Sequence, residues 1–504
     1  MPEWLSNLRH GKKYGYEVLF KRKTREIEGK PGIILAELGM PEDYKPEFYT
    51  TFMDHVFDYS LPWFLHRFIL ADRGIALIDP GNPLAREPFM PHRLVDMYGS
   101  FINHEGIPYV DCKVEWRPPG MKKNPSDHGY FLYKGNGKGG APDICQKTGA
   151  KIAGWYYGHL LPEKKVPWET QCRKVYEESV ARLAMLFPDA EFRLARYTFE
   201  DSLRQAVEDL LAAGCKTIIY QCFCNPVYSD FEDYAFAFPA LHRIVNRRVP
   251  IIWADQLGNQ PSLREAYIRL LKDNLTTIPA HSKLLLILSR HGHPFKNETM
   301  DLRGPEYRIP LELAMRKSLS EWGGLYDLVW SDDEYADDYW DPRKKKVSTY
   351  SAYRKAIEEN YDYALEIPTD FIAENTDLMI FHAMRKFNAF KEYNYNSPVH
   401  YPDWEQPLRR MFREGKTTGI YSGCPVGPYR KYIVGAVVQS ISEIFKTGTR
   451  CQVPGTGYRV CSHSVASSTV SPVSVQVSGT GRSELTTEGR TEPKARSPEP
   501  QRRR

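Results

Sequence analysis

With 504 residues, 42% hydrophobic and 26% charged, the chain has the apolar content for two α/β domains with real cores, which excludes disordered, collagen-like and membrane-embedded classes. A formal net charge of +5 is small for this length. No long basic run interleaved with aromatics precedes the last few residues, so nucleic acid is not expected as a partner.

The nine cysteines have no framework spacing, and the closest pair, Cys222 and Cys224, falls on an apolar segment that reads as a buried strand. An odd count, with no secretory pattern at the N-terminus, leads us to expect a reducing, cytoplasmic setting. Cys424 with Cys451 and Cys461 does not supply the four clustered thiolates of an iron–sulfur centre, so none is expected. No stretch reaches the length of a membrane helix. The aromatic run Trp63, Phe64, Phe68 is where peripheral membrane contact would be sought, although a buried helix face is the plainer reading.

In chain order, residues 1–30 are a polar, basic leader. Gly32 to Leu38 is a short apolar run stopped by Gly39 and Pro41, as a buried parallel strand ends in a loop, and a helix is expected near Phe48 to Phe57. Residues 112–170 are rich in Gly, Pro and Lys and read as an insertion. Within it, Lys134 to Gly140 resembles a phosphate-cradling loop only superficially, because no strand leads in and no helix follows.

Between 191 and 224 the grammar is clear. Glu191 to Tyr197 reads as a strand, and Thr198 with Asp201 suggests a capped helix start. Leu203, Val207, Leu210 and Leu211 recur at helical spacing, Gly214 ends the helix, and Lys216 to Phe223 is a second strand. This is a βαβ unit, with its ligand side beyond the carboxyl ends of the strands. The grammar returns with Leu284 to Ser289, a helix carrying Leu311 to Leu319, strand Tyr326 to Trp330, helix Tyr350 to Glu359 and strand Tyr363 to Ile367; Phe371 to Phe387 is then expected as a helix. The expected fold is therefore α/β: two similar Rossmann-like domains with parallel sheets, at 31–250 and 251–447, with a ligand cleft between them. From 448 to 504 the Ser, Thr, Pro and Arg content reads as a disordered tail.

Two features carry chemistry. His291 ends an apolar strand and precedes Gly292; a histidine there is often structural, and by itself it marks a place rather than a reaction. Asp370, Glu374 and Asp377, spaced four and three, would share one face of the expected helix, either as a solvated acidic face or as a carboxylate relay for protons or metal ions.

An ordered series of motifs then resembles the ferrochelatase family over residues 31 to 445. Gly32 to Pro41 is similar to its opening strand and Leu-Gly-x-Pro loop, Arg196-Tyr197 to its Arg-Tyr segment, and Pro226-Val227-Tyr228-Ser229 to its Pro-Gln-Tyr-Ser loop. Ser289 to Pro294 matches Ser-x-His-Gly-x-Pro, Gly304 to Tyr307 resembles Gly-Asp-Pro-Tyr, and Pro368 to Asp377 follows the segment leading to the family's catalytic acid.

The resemblance implies insertion of Fe²⁺ into a porphyrin, protoporphyrin IX or coproporphyrin III, with no organic cofactor. It implies His291 and Asp377 as catalytic and metal-handling groups on opposing walls of the cleft, Glu374 as a further catalytic carboxylate, and Arg196, Tyr197, Tyr228 and Leu38 as substrate-binding residues. Monomer and homodimer are both compatible with it. This chain departs from the pattern at Asp377, one methylene shorter than the family's Glu; at Asn375, where a His is usual; at Glu37, an extra carboxylate; and between Trp330 and Thr349, an acidic stretch with Asp332, Asp333, Asp337 and Asp338. A related cobalt or nickel chelatase and a non-catalytic porphyrin or haem carrier are the alternative readings.

Overall fold

The computed structural model describes residues 26–45, 47–48, 77–78, 131–132, 157–158, 161–228, 237–292, 304–333, 336, 346–393 and 398–448. The expected helix beyond Phe48, the Trp63 to Phe68 run, most of 112–170, His293, Pro294, Asp337, Asp338 and the tail lie outside these residues.

The apolar run at the start forms β1 (Pro31–Glu37), every residue of which is buried. A strand buried on both faces must be covered by helices, and its neighbours are all parallel. Two two-residue strands, β2 (Leu77–Ile78) and β3 (Phe131–Leu132), pair antiparallel apart from the main sheets. Helix α1 (Trp168–Leu186) leads to β4 (Glu191–Arg196), α2 (Glu200–Ala212) to β5 (Thr217–Cys222), and α3 (Phe238–Val245) to β6 (Ile251–Trp253). The sheet order is β4-β1-β5-β6. Helix α2 lies close on β1: a Cβ added to Gly32 would come within 2.9 Å of Leu210 Cδ1, so only glycine lets the two approach. Thr198 does not cap α2; its hydroxyl donates to the Leu38 carbonyl, and Glu200 and Asp201 supply the negative charge in the first turn.

Helix α4 (Pro261–Leu275) precedes the second sheet. There β7 (Lys283–Arg290), α5 (Gly304–Trp322), β8 (Leu325–Asp332), α6 (Thr349–Glu358) and β9 (Tyr363–Pro368) alternate, and β10 (Arg410–Glu414) and β11 (Thr417–Tyr421) complete it in the order β10-β11-β9-β7-β8. All pairs are parallel except β10 with β11. The fold is thus mixed α/β with two parallel sheets, both in one compact unit. The long last helix α8 (Arg430–Gly448) returns to the first sheet, where Ser440 Oγ donates to Gln221 on β5.

In each sheet the chain goes first to one side of a central strand and later to the other. These reversals, at β1 and β7, are where α/β sheets open a crevice beyond the strand ends. Leu38 and Gly39 follow β1, and His291 and Gly292 follow β7.

The expected helix from Phe371 is not continuous. Residues 369–375 form an irregular loop, and the helix begins with a π turn at Asp377–Phe381 that continues as α7 (His382–Phe387). Pro368 ends β9, and the loop after it is held by tertiary bonds: Thr369 N and Oγ1 both donate to the Ser289 carbonyl at 2.8 Å, while Tyr307 Oη donates to the Thr369 carbonyl at 3.0 Å. Asp370, Glu374 and Asp377 therefore do not share a helix face.

Gly423 closes a second loop at this end of the sheet. It sits at φ +74°, and a Cβ there would meet Leu408 N at 2.5 Å and O at 2.7 Å. Gly423→Ala combines left-handed backbone with an overpacked contact to main chain and should lower the stability by about 2–4 kcal/mol. Urea unfolding measures this, and an unchanged midpoint would contradict the packing described.

Candidate functional site

Parallel pairing brings the ends of β7, β8 and β9 to one edge. Ser289 pairs with Pro368, and Arg290 with Asp332. From the β7 end the chain turns through Gly292 at φ +94°. His291 N donates to Asp370 Oδ2 at 2.9 Å, and Nδ1 lies 3.1 Å from the Gly292 carbonyl. A carbonyl can only accept, so Nδ1 carries the hydrogen, and in the neutral ring Nε2 keeps the lone pair for a proton or metal ion.

The π turn supplies the partners. Its bond from His382 N to Asp377 O spans five residues instead of four, which places Asp377 and His382 on the same face. The potential ligand atoms of His291, Asp377 and His382 lie within 4.8 Å of one another. The His291 and His382 rings meet edge-on with centroids 4.9 Å apart, and Phe371 packs against the other side of His291 at 5.9 Å. Two imidazoles and a carboxylate make a donor set suited to first-row divalent ions such as Fe²⁺, Co²⁺ or Ni²⁺. His291 and Asp377 stand side by side rather than on opposing walls, because the π turn carries Asp377 back to the end of β7.

His382 was missed by sequence reading, since a five-residue spacing from Asp377 falls outside helical periodicity. Behind it lie more charges. Its Nδ1 is 3.3 Å from Asp333 Oδ2, Asp333 accepts from Lys386 Nζ at 3.2 Å, and Lys386 also pairs with Glu366. Glu366 accepts from Ser289 Oγ at 2.7 Å and from Tyr353 Oη at 2.8 Å. All four charged or titratable groups are sealed from solvent, with at most 1% of any side chain exposed. The Lys386 ammonium is held charged by its two carboxylates despite burial. Burial works to raise the carboxyl of Asp333, but Lys386 and His382 outweigh it and hold the group well below its usual range. At Glu366 burial wins and raises the carboxyl.

The other expected site residues are placed elsewhere. Glu374 is fully buried, accepting from Cys424 N at 2.6 Å and Tyr421 Oη at 3.0 Å; burial raises its carboxyl to about 7. It is not among the clustered ligand atoms. Glu37 is likewise raised to about 7 by burial and is occupied by Gly39 N and Trp168 Nε1, both at 2.6 Å. The Arg196 guanidinium is partly exposed and pairs with Glu169 at 2.7 Å. Tyr197 is core, with its hydroxyl 3.4 Å from Asn225 Nδ2, and Tyr228 is buried with its hydroxyl donating to the Ala254 carbonyl at 2.6 Å. Leu38 is buried too. All three are therefore packed as core residues here.

No family model matches the chain, and no curated protein matches its sequence. Among solved structures it is similar to SirB from Bacillus subtilis with Fe3+, at 12% identity and a TM-score of 0.36, covering 57% of this chain and 92% of that one. It is also similar to the Cra transcriptional dual regulator from Pseudomonas putida in complex with fructose 1-phosphate, at 12% identity and a TM-score of 0.24, covering 57% and 90%. A third is an ABC transporter solute-binding protein from Burkholderia graminis in complex with D-arabinose, at 11% identity and a TM-score of 0.24, covering 56% and 86%. At these TM-scores the likenesses carry no argument, and function has to be read from the residues of the chain itself.

Two outcomes follow from the buried charges. Lys386→Met leaves Asp333 and Glu366 without their cation and should cost about 3–5 kcal/mol in chemical unfolding; an unaltered stability would mean the two carboxyls do not depend on it. Glu374 keeps its proton to about pH 7 when folded but releases it near 4.5 when unfolded. Between those values the folded state binds more protons, so stability falls as pH rises, by on the order of 3 kcal/mol across the window. Glu374→Gln should remove that share of the slope when unfolding is followed from about pH 4.5 to 8, and a variant with the wild-type slope would refute the assignment.

Proposed function

We propose that the chain is a tetrapyrrole metal chelatase, a ferrochelatase that inserts Fe²⁺ into protoporphyrin IX or coproporphyrin III. The observation that carries this reading is the convergence of His291 and Asp377, both within motifs that resemble the family, with His382 at the carboxyl end of the second sheet. Insertion removes two pyrrole protons and replaces the ion's ligands with four ring nitrogens. Nε2 of His291 suits the proton transfer, since its ring is oriented by the Gly292 carbonyl and the loop beneath by Asp370. Asp377 and His382 suit transient holding of the incoming ion: a carboxylate and an imidazole bind divalent iron without the thiolates that would retain it. Arg196 is partly exposed and paired with Glu169 and Glu37, and would have to leave one of them to answer a substrate carboxylate.

A cobalt or nickel chelatase is the second reading, favoured by the second imidazole, which those ions accept readily. Anaerobic absorbance spectroscopy with Fe²⁺, Co²⁺ or Ni²⁺ and each porphyrin separates the two. Metalloporphyrin should form with the wild type and fall by about 10²–10⁴-fold in His291→Ala. Porphyrin binding without insertion of any of the three ions would sink the enzyme reading and leave a carrier.

A further inference from the structure

Asp333, in the acidic stretch where the sequence departs from the family it resembles, lies behind the metal-handling face. Asp333 sits just past the end of β8, its backbone N donating to the Arg290 carbonyl at 2.7 Å, so its position is fixed by main chain. Its Oδ2 lies 3.3 Å from His382 Nδ1 and 3.2 Å from Lys386 Nζ. Lys386 is anchored in turn by Glu366 on β9, which Ser289 and Tyr353 hold from β7 and α6. Such a chain of sealed charges is costly to build and gives no opening to solvent. Its order runs from the sheet interior outward to one imidazole, and that imidazole is one of the clustered metal-ligand candidates.

We propose that Asp333 is a positioning residue for His382: its carboxylate, in ion-pair range of Nδ1, draws the ring hydrogen to that nitrogen and leaves Nε2 to the ion, with Lys386 and Glu366 bracing Asp333 itself. A carboxylate behind a ligating histidine does two things at once. It selects which nitrogen keeps its lone pair, and it raises the electron density of that nitrogen. Lys386 keeps Asp333 from swinging forward to become a ligand, because leaving the ammonium would strip a buried cation of one of its two partners. The proposal rests on the metal-handling reading of the site, but it concerns an arrangement that exists before any ion arrives.

The test uses the full chain labelled with ¹⁵N-histidine, free of metal, with His382→Gln to assign the signal. At a pH where the ring is neutral, wild-type His382 should show a pyrrole-type signal at Nδ1 and a pyridine-type signal at Nε2. In Asp333→Asn the neutral amide can also donate, so the tautomers should mix. The affinity for Co²⁺ alone, read from the d–d absorption of the bound ion, should fall by about 10–100-fold.

A wild-type ring protonated at Nε2, or at both nitrogens, overturns the proposal whether or not the variant folds. So does an Asp333→Asn variant, folded by circular dichroism, with unchanged tautomer and unchanged Co²⁺ affinity. If the wild type binds no Co²⁺ while His382 is held as the Nδ1–H tautomer, the metal reading fails and the positioning by Asp333 stands.

Discussion

One ammonium group organises the second sheet. Lys386 is on the short helix α7, yet its charge is inside, between Glu366 of β9 and Asp333 beyond β8. A buried cation has to be paired, so the helix that carries it cannot drift from the strand ends. Two carboxylates for one ammonium leave a charge too many, and the two acids resolve it unequally. Asp333, with Lys386 and the imidazole of His382 beside it, stays ionised; Glu366, where burial and the neighbouring Asp333 charge outweigh the ammonium and its hydroxyl donor, is the one raised toward its protonated form. The negative charge is thereby kept on the side where the histidine stands.

The position of the reactive groups follows from that docking. Since α7 is fixed at its inner end by Lys386, the start of the helix must meet the loop after β9, and the π turn absorbs the mismatch with one extra residue per turn. Without it Asp377 would rotate away from His382. The loop itself is positioned by residues of the motifs read from sequence: Ser289 offers its carbonyl to Thr369 and its hydroxyl to Glu366, and Tyr307 holds the Thr369 carbonyl. These positions look like family signatures because they fix backbone near His291. They have no need to touch a substrate.

That distinction explains what was legible. The strands were, because buried parallel strands read as apolar runs closed by Gly or Pro, and β1 and β7 have that form. His291 and Asp377 were named from motif spacing, and their ligand atoms do meet. His382, Asp333 and Lys386 were not legible. Each is brought in by tertiary structure, through a π turn that breaks the 3.6-residue period or through pairing of strands distant in sequence. The same periodicity misled at Asp370, Glu374 and Asp377. Their spacing suits a helix, but the loop bonds to Ser289, Tyr307 and Gln171 outweigh helix propensity over 369–375. Tyr197 and Tyr228, named from their motifs, are buried with an internal partner for each hydroxyl, as a tyrosine in a packed interior requires.

The departures from the family pattern now sort by physical role. Glu37 accepts from Gly39 N and Trp168 Nε1, so its carboxyl fastens the loop after β1 to the start of α1 and is spent on structure. Asn375 accepts from Leu378 N at 2.9 Å, satisfying one of the free donors at the helix start, where an imidazole would serve less well. Asp377 alone stands at the reactive face. Its side chain is short, and the π turn places the imidazole of His382 beside it. Asp333 comes from the stretch that resembles nothing in the family, and it stands behind the imidazole of His382. The two come from separate elements, Asp333 past β8 and His382 at the start of α7, so the docking of α7 by Lys386 is what brings the carboxylate and the imidazole together.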